Sequence, residues 1–157
     1  MIRSLFFFFI IFSFITSNAN CNIKNKIVAK IGNEIITSYD VINEINTILA
    51  ISNEVVDEKS FVTLRNVAFQ SLKKLIIKQI EVNKYEIEDY NEDDLNNYIY
   101  QIEKNLNLQN MNLEDHFKKY GANYQIFIEG IITNLKWNTL IYSLYKRQLD
   151  VDLSVIN

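Results

Sequence analysis

Residues 26–41 read KIVAKIGNEIITSYDV, and the fold is decided here. Ile27, Ala29 and Ile31 alternate with Val28 and Lys30, the period of two that marks a strand with one face buried. Gly32-Asn33 supplies residues that tolerate positive φ, as a tight turn requires. Ile35-Ile36 reads as a second, very short strand. Thr37 or Ser38 caps a helix, and Asp40, three residues after Thr37, makes a variant of the capping box. Val41, Ile42, Ile45, Ile48 and Leu49 then recur at helical spacing. A hairpin therefore feeds directly into an amphipathic helix.

The rest of the chain repeats the helical pattern. After a polar break over residues 52–60, a long helix is expected over residues 61–84. Its stripe is Phe61, Leu64, Ala68, Leu72, Leu75, Ile76 and Ile80, widened by Val67, Phe69 and Ile77. So broad a stripe implies burial on more than one side, which makes this helix the centre of the core. Asn91 precedes Glu92, Asp93 and Asp94, acids placed where a helix N-terminus favours them. Leu95, Tyr98, Ile99, Ile102 and Leu106 share one side of that helix. Asn112 caps a short helix that Gly121 ends as a C′ residue. Asn123 opens a last helix running to about residue 149. Val151, Leu153 and Val155 alternate with Asp152 and Ser154, the pattern of a C-terminal strand over residues 150–156 that would pair beside residues 26–31. The fold class is mostly α: a compact domain of about five helices with a small N-terminal β-hairpin and this terminal strand.

The chain begins with the layout of a secretory signal peptide. Arg3 is a short positive region, LFFFFIIFSFI at residues 5–15 is an apolar run, and Ser17 and Ala19 are small residues at the positions a signal peptidase reads. A spanning helix needs about 20 apolar residues, so residues 1–19 are expected to be removed and residues 20–157 to form one domain. Cys21 is the only cysteine; Asn20 and Asn18 precede it where a lipoprotein carries a small residue and a leucine-like one, which favours cleavage after Ala19 over lipidation. Residues 20–25 read as a flexible lead-in.

Composition excludes several classes of function. With 16 Lys and Arg against 19 Asp and Glu, the formal charge is −3 and no basic stripe exists to neutralise phosphates, so no nucleic-acid partner is expected. The single histidine, His116, has no cluster of ligands at helical spacing and is expected on the surface, with no metal. The acids from Glu86 to Asp94 lack the alternation and central glycine of a calcium loop. No nucleophile motif, phosphate-binding loop or dinucleotide fingerprint occurs. No catalytic, cofactor-binding or metal-ligating set is therefore expected, and the protein is not an enzyme on this reading.

What remains is an apolar surplus. Nine Tyr, ten Phe and one Trp are a heavy aromatic load, although several Phe leave with the leader. On the last helix, Tyr124, Phe127, Ile128, Ile131, Leu135 and Tyr142 form one stripe. A second, Trp137, Leu140, Ile141 and Leu144, lies partly outside it. That circumference exceeds what a small domain covers, so Trp137, Ile141, Leu144 and Tyr145 are candidates for a surface that takes apolar peptide.

Taken together, residues 28–41, the stretch LRNVAFQSLKKLIIKQIEVNKYEIEDYNEDDLNNYI at residues 64–99, and Asn112 to Phe117 with Gly121 and Tyr124 resemble the N-terminal domain of the SurA family of periplasmic chaperones. The resemblance spans residues 26–157 and lies mostly in core and cap positions. It implies a periplasmic chaperone-like protein for outer-membrane protein assembly, binding unfolded or aromatic-rich polypeptide clients; the open apolar face near Trp137, Ile141 and Leu144 is expected to take such a segment or a second copy of the chain, giving a homo-oligomer. Members usually carry parvulin-type prolyl isomerase domains and a C-terminal helix that completes this domain. Neither has a counterpart in residues 26–157, so isomerase activity is not implied and part of the apolar surface is expected to stay open. Two rival readings are a non-catalytic subunit of a prolyl isomerase complex and a structural envelope-assembly protein with one fixed partner.

Overall fold

The computed structural model of the chain describes residues 25–54, 57–108 and 111–153. The expected leader, Cys21 and the last residues of the expected C-terminal strand lie outside them. Two strands, β1 (Ile27–Ile31) and β2 (Glu34–Thr37), are followed by helices α1 (Ser38–Ser52), α2 (Glu58–Lys84), α3 (Glu92–Asn105), α4 (Leu113–Lys119) and α5 (Tyr124–Leu153). The protein is mostly helical, with five helices and an antiparallel two-stranded hairpin among the described residues.

The opening stretch folds as its pattern dictates, with two adjustments. Gly32 alone takes positive φ, at 60°, while Asn33 does not; this sign pattern is that of a II′ turn, which matches the twist of the strands it joins. The register pairs Ala29 with Ile36 and Ile27 with Thr37, so Val28 is the extra residue of a β-bulge. The bulge breaks the alternation. Ala29, Ile31 and Ile36 face the helices, whereas Ile27, expected on the same face, is 68% exposed.

Thr37, not Ser38, is the N-cap of α1. Its hydroxyl accepts from Asp40 N, and the Asp40 carboxylate accepts from Thr37 N at 2.7 Å. Ser38 instead ties down the chain before the hairpin, where its hydroxyl accepts from Lys26 N at 3.0 Å and donates to Asn25. The Asn25 side chain also accepts from Tyr39 N, so the end of the supposed lead-in is tied to the start of α1. α2 begins three residues before the apolar stripe because Asp57 caps it, accepting from Ser60 N. Asn91 and Asn112 cap α3 and α4, and Asn123 accepts from Ile126 N at the start of α5.

With no proline and few glycines, the helices stop by other means. α2, α3 and α4 each end in a Schellman motif, and the left-handed residue is Glu86 (φ 51°), Asn107 (φ 53°) and Gly121 (φ 71°) respectively. At α4 the amide of Gly121 donates to Lys118 O and that of Ala122 to Phe117 O, both at 3.0 Å. Only the last of the three uses the residue type that adopts this conformation without cost.

The core has two parts. Ile36, Val41, Ile45 and Ala68 are buried between the hairpin, α1 and α2. Ala50, Ile102, Leu113, Phe117 and Ala122 are buried among α1, α3 and the α4–α5 turn. Phe117 is fully buried and packs against Phe127 with ring centroids 4.6 Å apart. α2 packs against α1, α5 and both strands, as its broad stripe requires. Yet Leu75 and Ile76 at its middle are only half-buried, and Phe61 at its start is exposed.

Two expectations are corrected. His116 is 6% exposed, not a surface residue. Its ring Nε2 lies 2.8 Å from Ala50 O, a carbonyl of the last turn of α1 with no partner inside that helix, so the ring donates and caps the helix end. Tyr120 donates to Asn53, the C-cap residue of α1, from the same side. The expected C-terminal strand is also overturned over residues 150–153, which continue α5. A three-residue alternation with no paired ladder carries less than the uninterrupted i to i+4 hydrogen bonding of a helix already formed. The described sheet therefore has two strands, not three.

Candidate functional site: an apolar face on helix α5

α1 and α2 position α5. Asn43 of α1 is buried and accepts from Asn123 N, which fixes the residue just before α5 against the body. Asn46 donates to Gly121 O in the turn before it. Further along, Gly130 faces Leu75: a Cβ placed on it would meet Leu75 Cδ2 at 3.5 Å, an ordinary contact. Asn134 accepts from Lys78 Nζ at 2.6 Å. These contacts advance together along both helices, so α2 and α5 run in the same sense where they touch.

Burial along α5 then falls away. Ile131 and Leu140 are buried, but every side chain from 141 to 146 is half-buried or exposed. Three of the four expected site residues lie on this stretch, and Trp137 lies one turn before it. Trp137, Ile141 and Leu144 are half-buried, and Tyr145 is 62% exposed, with Tyr142 beside it at 68%. At about 100° per residue, Trp137, Ile141 and Leu144 fall within roughly 60° of one another. Leu140 flanks them on the buried side and Tyr145, then Tyr142, on the open side. The structure thus brings the four together on one face that turns gradually from core to solvent. Trp137, Leu140, Ile141, Tyr142, Leu144 and Tyr145 bring no carboxylate, imidazole or thiol to this face. What it offers is apolar area with two phenol hydroxyls at its rim, the composition that suits contact with another chain.

A second apolar surface escaped the sequence reading. Val28, Val41, Phe61, Val62, Arg65 and Phe69 line a cleft of about 500 Å³ between the hairpin and the start of α2. Phe61 and Val62 are exposed there, although the periodicity placed Phe61 in the core stripe. The bulge that turns Val28 outward forms one wall. A bulge has no signature in hydrophobic period, so nothing in the pattern announced it.

Among the described residues there is no group of three or more His, Cys, Asp and Glu side chains close enough to hold a metal ion. No helix among them is long and apolar enough to cross a membrane. No family model, curated protein or solved structure matches the chain.

Proposed function

We propose that the domain binds apolar segments of unfolded polypeptides, as an exported, non-catalytic chaperone-like protein serving outer-membrane protein clients. The observation that carries this is the exposure of Tyr142 and Tyr145 on a helical face continuous with half-buried Trp137, Ile141 and Leu144. Large apolar side chains left in water on one face cost free energy that contact with a client recovers, at roughly 25 cal/mol per Å² of apolar surface removed from water. The resemblance of residues 26–157 to the SurA-family N-terminal domain supports the same reading, and the leader at residues 1–19 supports action in the periplasm. Clients are held by area rather than by directed hydrogen bonds, which suits a protein that accepts many sequences and releases them.

The test replaces Trp137 by Ser and Leu144 by Gln in one chain and measures binding of an aromatic-rich unfolded peptide by fluorescence anisotropy. Sedimentation and thermal unfolding are followed in parallel. The expected result is at least a tenfold weaker affinity at unchanged secondary structure. Undiminished binding by a folded double variant refutes the assignment to α5. A Tyr142→Ser/Tyr145→Ser variant, altered only at exposed positions, decides the matter if the first variant unfolds.

A further inference from the structure

A cavity of about 290 Å³ lies between α1, α2 and α5, apart from the apolar face at the end of α5. Its volume is at the small end of the range for sites that take small molecules. It is open: Ile51, Tyr98 and Ile126 line it and are exposed, so they mark its mouth. Leu72, Leu75 and Ile131 make an apolar wall. The polar wall is Glu44 and Thr47 from α1, Ser71, Lys74 and Lys78 from α2, and Asn134 from α5.

The polar wall is short of one negative charge. Glu44 accepts a hydrogen bond from Ser71 at 2.6 Å and makes no ion pair among the described residues. Lys78 donates to the neutral Asn134 side chain, and neither Lys78 nor Lys74 makes an ion pair among the described residues. Two ammonium groups thus share the cavity with one carboxylate. Burial raises the Glu44 pKa, with the Ser71 bond opposing the shift. Thr47 adds a buried hydroxyl with no partner, a group that gains from any acceptor brought beside it.

We propose that this cavity binds a small monocarboxylate with an apolar body, its carboxylate taken by Lys78 and Lys74 and its body by the Leu72, Leu75 and Ile131 wall. A single negative charge balances the two lysines against Glu44. A cation meets like charge there, and a neutral apolar molecule leaves the lysines unpaired. The site is separate from peptide capture on α5, so either assignment stands without the other.

The experiment titrates the folded protein with 3-phenylpropanoate and, separately, with its neutral amide, by calorimetry and by amide shifts at Gly130 and Asn134. The carboxylate is expected to bind at least tenfold more tightly than the amide and to move both signals. Lys78→Met is expected to weaken carboxylate binding at least tenfold, and Glu44→Gln to preserve or strengthen it. No carboxylate binding, equal binding of the amide, or full affinity in folded Lys78→Met each overturns the proposal. If Lys78→Met fails to fold, Lys74→Met at an exposed position serves, with a loss of affinity expected and unchanged affinity overturning the assignment.

Discussion

Glu86 holds a left-handed backbone conformation at the end of α2, with φ 51°, because its amide and that of Ile87 must close the helix on Asn83 O and Val82 O. A residue with a Cβ is strained there by roughly 1–2 kcal/mol. Glu86→Gly is therefore expected to stabilise the domain by about 0.5–1 kcal/mol after the greater chain entropy of glycine is counted; urea unfolding measures it, and a destabilised variant contradicts the motif. Glu44 makes the opposite kind of prediction. Its folded-state pKa is raised above the ordinary glutamate value by burial. The native state then holds the proton more tightly than the unfolded chain. Stability consequently falls as pH rises from the unfolded pKa through the folded one, and below that window the effect is absent. Glu44→Gln keeps an acceptor for Ser71 and is expected to gain stability at neutral pH but none at pH 4. Equal gains at both pH values would show that the charge is not the cause.

α4 is one element whose stability depends on a few contacts. Its seven residues are too few to be stable alone. Asn112 accepts from Asp115 N at 2.7 Å at one end, and Gly121 closes the other. Leu113, His116 and Phe117 fill the side facing α1. Asn112→Ala is expected to cost about 1 kcal/mol, and amide exchange should quicken in α4 and in the α1 end that His116 caps, while α2 is unaffected. The cap of α2 answers to pH. The Asp57 carboxyl is held below its ordinary pKa by the Ser60 side chain and amide, so its contribution is present above the unfolded pKa and is lost as pH falls through the folded value.

For the whole molecule, the two-part core sets which truncations matter. Phe117 is fully buried with rings on two sides, so Phe117→Ala is expected to cost about 3–5 kcal/mol. Leu75 belongs to the middle of the longest apolar stripe but stands on the wall of an open cavity. Leu75→Ala is expected to cost less, roughly 1–3 kcal/mol, since part of its surface stays in contact with water. Comparing the two by urea denaturation tests where the core lies. Equal costs would place α2 rather than α4 at its centre. Both apolar surfaces lie at the margins of this core: burial along α5 falls away after Leu140, and Val28, Phe61 and Val62 line the cleft between the hairpin and the start of α2.

Local chemistry was legible in the chain itself. The Gly32 turn, the Thr37–Asp40 box, the Asn91 and Asn112 caps, the Gly121 stop and the helical stripes all act within a few residues, so neighbouring side chains suffice to specify them. So was the apolar width of α5 around Trp137, Ile141, Leu144 and Tyr145, because helical period places them on one face. Tertiary structure alone decided what that face meets. It took His116 from surface to helix cap, through a carbonyl 66 residues away in sequence. It also gathered Glu44, Lys74, Lys78 and Asn134, from three helices, into one cavity. Each outcome depends on contacts between elements far apart in the chain, and hydrophobic period records which side of an element is buried but not the partner that buries it.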